Sequence, residues 1–160
     1  MMDQKKQLLV IFAVGLGALA VYALIRGFSE NDEARIRKII YAAGFAVETQ
    51  DSARYSSFVS EAYHDKLGRD KATLLREVMA LFKDYKPFKV DFKQFRIHVE
   101  KDDATTEIGL KAYFRKDNDS HLYYDAGEFK VYFHREAKLW KVREVEFQDI
   151  KELFFIPNVA

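Results

Sequence analysis

The sequence has 160 residues, enough for one domain and an appendage, and 49% of them are hydrophobic, which excludes a disordered chain. Lys and Arg number 26 against 25 Asp and Glu, and a net charge of +1 gives no electrostatic reason to expect nucleic-acid binding. The absence of cysteine excludes disulfides, thiol catalysis and thiolate metal sites.

The first predicted element is the uncharged stretch LLVIFAVGLGALAVYALI at residues 8–25. As a helix it would rise about 27 Å, close to the roughly 30 Å hydrocarbon core of a bilayer. A core helix of a globular domain usually has a polar face, and this stretch has none. It is also longer than the apolar segment of a secretory signal, which has about 7–15 residues. We therefore predict a retained transmembrane anchor. A cleaved signal, with a weak site at Ala18-Leu19-Ala20, and a buried core helix are the less favoured alternatives.

Lysines stand directly before this apolar stretch, at Lys5 and Lys6. A short basic N-terminus favours a cytoplasmic position for that end of the chain. The sequence thus predicts a single-pass protein of the inner (plasma) membrane, with residues 1–28 as a cytoplasmic tail and anchor. Residues 29–160 would form a periplasmic or extracellular domain.

Three helices are predicted at the start of that domain. The first begins in the capping sequence SEND at residues 29–32 and repeats isoleucines at helical spacing as far as about Thr49. A second, short helix is predicted in DSARYSSFVSEAY, from its cap Asp51 to Tyr63. The third, DKATLLREVMALFKDY, is capped by Asp70.

From Phe88 the hydrophobic period changes from 3.6 to 2, which predicts four long antiparallel strands. Phase slips at Lys93-Gln94 and between Val142 and Val145 indicate β-bulges that bend the sheet. With one face covered by the helices, the predicted fold is an α+β cone. The strand residues predicted to face inward are Phe88, Val90, Phe92, Phe95, Ile97, Val99, Thr106, Ile108, Leu110, Ala112, Phe114, Phe129, Val131, Phe133, Trp140, Val142, Val145 and Phe147.

This order of helix, short helix, helix and four strands ending in LWKVREVEF resembles the nuclear transport factor 2-like (cystatin-like, SnoaL-like) superfamily. The resemblance covers roughly residues 30–148 and rests on topology and hydrophobic pattern. It implies a cone-shaped domain, and it admits isomerases, dehydratases, hydrolases and non-enzymatic binding modules alike. The resemblance also implies that, if the protein is one of the superfamily's enzymes, an acid–base residue lies inside the cone.

An acid–base residue of this kind would have to stand at one of the inward positions. None of the predicted inward residues carries an ionisable group, which argues against proton-transfer chemistry in the interior. Their seven phenylalanines also leave less room for a ligand. We thus expect a non-enzymatic protein-interaction or assembly module with no cofactor and no metal site, since the spacing of His98 and His134 matches no metal signature.

The alternative function is a small-molecule-binding protein, or a hydrolase or isomerase, with a pocket near Tyr55, Tyr63 and His64. His64 and Asp65 are the best candidate catalytic pair, with Tyr55 as a third group. Adjacent loop residues usually point apart, and Asp65 has the simpler role of capping a turn.

The outward face of the sheet is expected to be basic and rich in tyrosine. Tyrosine and arginine are enriched at protein interfaces, so we predict binding to other proteins there, with a homodimer as one arrangement. The candidate interface residues are Tyr113, Tyr132, Arg96, Arg115 and Arg143. The apolar tail at residues 153–156 is expected to cover the mouth of the domain's own cone, or else to dock on a partner.

Overall fold

A computed structural model of the protein describes residues 31–86, 89–116 and 122–150. The predicted span at 8–25 and the apolar tail at 153–156 lie outside these residues. Among the described helices, none is both long and apolar enough to cross a bilayer. The membrane anchor therefore stays a prediction.

Three helices come first, as predicted. They are α1 (Asp32–Glu48), α2 (Ser52–Phe58) and α3 (Lys71–Asp84). Each begins where a short polar side chain accepts a hydrogen bond from a backbone N–H of the first turn, which leaves one donor fewer unpaired there. The three capping residues are Asn31, Asp51 and Asp70.

Helix α2 ends at Phe58, five residues before its predicted end at Tyr63. Val59 is already extended and forms an isolated parallel bridge with Val142 of the sheet. The N–H of Ser60 then donates to the carbonyl of Val142 over 2.9 Å. After Phe58 the backbone therefore bonds to β4, and the helix does not continue.

Four strands follow and form one antiparallel sheet in the order β1-β2-β3-β4. They are β1 (Lys89–Glu100), β2 (Asp103–Phe114), β3 (Tyr123–Glu136) and β4 (Leu139–Ile150). The α+β class, with three helices on a four-stranded antiparallel sheet, is confirmed.

Both predicted bulges are present. In β1, Lys93 is the extra residue, because Phe92 pairs with Leu110 while Gln94 pairs with Gly109. In β4, Arg143 is the extra residue, because Tyr132 pairs with Glu144 while Phe133 pairs with Val142. An extra residue bends its strand and sharpens the twist, which curves the sheet around the helices.

The main core lies between α1 and the inward face of the sheet. Ile36 of α1 is fully buried, and Phe133 and Trp140 are 2% and 3% exposed. Phe88 lies outside the described residues. The other strand residues predicted to face inward are buried in the core or line the interior, so the predicted inward phase is confirmed for them.

Asp32, at the start of α1, forms hydrogen bonds to the β3–β4 hairpin. Its carboxylate accepts the indole N–H of Trp140 over 3.1 Å and a guanidinium N–H of Arg135 over 2.7 Å. The Arg135 guanidinium also lies over the Trp140 ring, 4.6 Å from its centroid. Burial raises the pKa of Asp32, but the hydrogen bonds from Trp140 and Arg135 outweigh it and hold the pKa below its usual range.

Candidate functional site

A cavity of about 310 Å³ lies inside the cone, between the three helices and the inward face of the sheet. Most of its wall is aliphatic or aromatic, with residues from every described helix and strand. Its polar or charged lining residues are Tyr55, Tyr63, Arg69, Glu77 and Asp125. Its volume and its few polar groups in an apolar wall fit a small-molecule site.

The inward phenylalanines do not fill the interior. Phe92 and Phe95 gather with Tyr41 at the flank of α1, with ring centroids 5.3 to 5.5 Å apart. Phe114 contacts Tyr85 and Tyr123 beside α3. Phe92, Phe129, Phe133 and Phe147 line the cavity, so the inward phenylalanines form part of its wall and leave space between them.

Small residues widen the same space. Ala43 and Gly44 of α1 and Ala126 and Gly127 of β3 all line the cavity. At Gly44 the ring of Phe92 lies so close that a Cβ atom would meet it at 2.7 Å. Glycine thus lets α1 approach β1 at this point.

Asp65 organises the loop between α2 and α3. Its side chain is 1% exposed and accepts four hydrogen bonds of 2.7 to 3.0 Å. The donors are the hydroxyl of Tyr63, the backbone N–H groups of Leu67 and Arg69, and the Arg69 side-chain Nε–H. With its acceptor positions occupied by the loop itself, Asp65 holds Arg69 in place and has no role as a free base.

Two phenols line the cavity near Arg69. Burial raises the pKa of Tyr55 and of Tyr63, so both are neutral at physiological pH. The hydroxyl of Tyr63 donates to Asp65 over 2.9 Å. Within the described residues, the hydroxyl of Tyr55 has no hydrogen-bond partner, so it is available to a ligand.

The Arg69 guanidinium lies between two carboxylates. Its Nε–H donates to Asp65 over 2.7 Å and its Nη1–H to Glu77 over 2.8 Å. It also lies 5.8 Å from the ring centroid of Phe147. Asp65 and Glu77 thus fix the guanidinium and balance its charge at the cavity wall.

An ionisable group does lie on the inward face of the sheet, contrary to the sequence-based expectation. Asp125 of β3 pairs with Ala112 and lines the cavity. One oxygen of its carboxylate accepts the N–H of Ala126 over 2.8 Å. The alternation of Phe133, Val131 and Phe129, extended back through Gly127, reaches Asp125. The argument against catalysis from an interior without titratable groups therefore fails.

The candidate catalytic residues are not brought together. His64 is exposed and does not line the cavity, and its backbone N–H donates to the carbonyl of Arg143. Asp65 is occupied by its loop, and only Tyr55 of the three faces the cavity. Arg69, Glu77 and Asp125 are the lining residues that sequence reasoning missed.

The candidate interface residues form local pairs on the outward face. Arg96 contacts Glu107 at 3.3 Å, and the Tyr132 hydroxyl donates to Glu146 over 3.1 Å. The ring of Tyr113 lies beside that of Tyr124, with centroids 6.3 Å apart. Arg143 reaches Glu136 at 4.0 Å, and Arg115 is exposed.

No family model and no curated protein matches the sequence. Solved structures do match. A candidate scytalone dehydratase from Novosphingobium aromaticivorans superposes with a TM-score of 0.68, at 10% identity over 73% of this chain and 83% of that one. A nuclear transport factor 2-like superfamily protein from Salmonella enterica gives 0.65, at 11% identity over 73% and 89%. A type 2 hexachlorocyclohexane dehydrochlorinase gives 0.63, at 13% identity over 81% and 95%. Identities this low show the fold alone, and the predicted nuclear transport factor 2-like fold is confirmed.

Proposed function

We propose that this domain binds a small apolar molecule in the cavity of its cone. The observation that carries the proposal is the 310 Å³ apolar space with Tyr55, Arg69 and Asp125 in its wall. Apolar walls provide affinity by removing ligand surface from water, and a few fixed polar groups orient the ligand. Structural neighbours that carry enzyme names support a ligand-accepting interior for this fold.

The test is isothermal calorimetry of the full chain in mild detergent with an uncharged apolar probe, 1-naphthylmethanol. A cavity-filled variant, Ala43→Phe, supplies the control for partitioning of the probe into detergent, because Ala43 lines the cavity. Ala72→Phe makes the same change at an exposed position of α3 outside the cavity. We expect the wild type and Ala72→Phe to bind the probe, and Ala43→Phe to lose binding.

Equal heats for all three proteins would show that the probe does not enter the cavity, and the proposed function would then be wrong. A circular dichroism melt of each variant shows whether it is folded. If Ala43→Phe does not fold, Leu110→Trp fills the same cavity from β2.

A second candidate function is protein binding through the outward sheet face of a membrane-anchored domain. The observation that favours it is the pair Tyr113 and Tyr124, the latter 65% exposed. Large exposed aromatic side chains are typical of interfaces. Sedimentation of the full chain and of Tyr124→Ser tests it, since a smaller assembly for the variant is expected only if this face mediates contact.

A further inference from the structure

The charges in the cavity wall are unequal. The described lining residues include one cation, Arg69, and two carboxylates, Glu77 and Asp125. Arg69 contacts Glu77 at 2.8 Å and, behind the wall, Asp65 at 2.7 Å. Its single positive charge therefore faces two negative charges, so the guanidinium offers little net attraction to an anionic ligand.

Asp125 has no such compensation. No Lys, Arg or His in the described part of the chain lies within ion-pair distance of its carboxylate. One oxygen accepts the backbone N–H of Ala126, which leaves acceptor capacity on the carboxylate for a group in the cavity. An uncompensated carboxylate beside apolar walls favours a cation with an apolar body.

A metal ion fits this position poorly. Within the residues that the structure describes, no three His, Asp or Glu side chains are grouped so as to hold one. Hard cations such as Ca²⁺ and Mg²⁺ need six or more oxygen ligands, whereas an ammonium group needs only a few acceptors.

We propose that the cavity selects an apolar molecule bearing a basic amine, whose ammonium group donates to the carboxylate of Asp125. This proposal rests on the proposed ligand-binding function and names the chemical class of the ligand. The apolar body lies against the aliphatic and aromatic walls. An acid of the same shape is disfavoured, because the charge of Arg69 is already balanced and Asp125 repels it.

The experiment compares three probes of matched shape on the full chain at pH 7 by isothermal calorimetry. They are 1-naphthylmethylamine, which is protonated, 1-naphthylmethanol, which is neutral, and 1-naphthoic acid, which is an anion. We expect the amine to bind roughly five-fold more tightly than the alcohol, as for a hydrogen bond to a partly exposed charged group, and the acid to bind most weakly.

Asp125→Asn removes the charge and keeps an oxygen for the N–H of Ala126. In this variant the ratio of amine to alcohol affinity should fall to about one. Asp84→Asn, which removes the same charge from an exposed position on α3, should leave the ratio unchanged.

The outcomes separate the two proposals. If the alcohol binds the wild type but not Ala43→Phe, and the amine gains nothing over the alcohol, the ligand class is wrong and the binding function stands. A ratio that survives in Asp125→Asn, or an acid that binds most tightly, overturns the assignment to Asp125. If no probe binds the wild type more strongly than Ala43→Phe, both proposals fail.

Discussion

The two ends of the cone differ in how their interior is filled. At the closed end, Ile36, Ala104 and Trp140 leave almost no exposed surface, and Asp32 joins the start of α1 to the β3–β4 hairpin. At the cavity end, an apolar space of about 310 Å³ separates the helices from the sheet. The difference shows that dense packing and polar bonds to the hairpin are concentrated at one end of this domain, whereas the other end keeps an open interior, the space in which the proposed ligand would lie.

The hydrogen bonds of the polar groups at the two ends also differ in the sequence separation of the residues that they join. Asp32 bonds to residues 103 and 108 positions away in the chain, so its contacts exist only in the complete fold. Asp65 bonds mainly within its own loop, to Tyr63, Leu67 and Arg69. The glycine at Gly68, with a φ of 76°, allows the turn that returns the chain to Asp65. The cavity end therefore keeps its polar geometry through local bonds.

The largest effect is expected from Trp140→Ala at the closed end. Replacing a buried tryptophan costs about 3–5 kcal/mol, through lost burial and the cavity that remains. This is a large share of a domain stability of about 5–15 kcal/mol. Thermal melting of the full chain, followed by circular dichroism, should show a sharply lower Tm. A melt like that of the wild type would mean that Trp140 does not support the closed end.

A smaller loss is expected from Asp65→Asn at the cavity end. Asparagine keeps the shape but cannot accept every bond of the carboxylate, and Arg69 loses one of its two charged partners. We expect a loss of about 2–3 kcal/mol in the free energy of unfolding, by urea titration. Asp84→Asn, at an exposed position, is the control and should change stability by less than about 0.5 kcal/mol.

The pH dependence of Asp65→Asn sharpens this prediction. Burial raises the pKa of Asp65, but hydrogen bonds from Arg69 and Tyr63 outweigh it, so the pKa is lowered in the folded protein. Its contribution to stability is present above the unfolded-state pKa of about 3.9 and is lost as the pH falls through the folded-state value. The difference between wild type and Asp65→Asn should therefore be larger at pH 7 than at pH 3. A difference that grows on acidification would contradict the assigned role of Asp65.

A still smaller change is expected from Tyr132→Ala on the outward face. Its hydroxyl bonds to Glu146, and Lys130 lies 5.4 Å from its ring centroid, both in partly exposed positions. We expect a loss of less than about 1 kcal/mol, measured by the same melt as for Trp140→Ala. Unfolding by Tyr132→Ala alone would reverse the assignment of inward and outward faces.

The smallest stability change is expected from Tyr55→Phe. The substitution removes a hydroxyl that has no partner in the described structure, so the free energy of unfolding should stay within about 0.5 kcal/mol of wild type. Affinity for a probe that hydrogen-bonds to this hydroxyl should fall, whereas affinity for naphthalene itself should not. Calorimetry with 1-naphthylmethanol and naphthalene makes the comparison, and an unchanged affinity for 1-naphthylmethanol would place the Tyr55 hydroxyl outside the site.

Periodicity and caps predicted much of the fold. Asp51 and Asp70 cap helices as their sequence positions indicate, and the slip at Lys93 marks a bulge because an extra residue reverses the inward and outward phase. These are local signals, which a short window of sequence contains.

The site depends on contacts that no short window contains. Phe92, Phe95 and Phe114 line or border the cavity through ring contacts with tyrosines of α1, of β3 and of the position after α3, which lie far away in the chain. Asp125 stands at an inward position of β3, but Gly127, which lies between Asp125 and Phe129, has no side chain. The apolar pattern therefore stops at Phe129 and does not reveal that Asp125 also faces inward. Arg69 lines the cavity with its guanidinium bonded to Asp65 of the same loop and to Glu77 of α3.

Trp140 makes the closed end optically visible. It is the chain's single tryptophan, it is 3% exposed, and its indole N–H bonds to a carboxylate. Its fluorescence emission should therefore shift to longer wavelength when α1 separates from the hairpin and water reaches the ring. Since Trp140 does not line the cavity, a bound ligand should leave that emission nearly unchanged. One intrinsic fluorophore thus reports the integrity of the closed end independently of what the cavity holds.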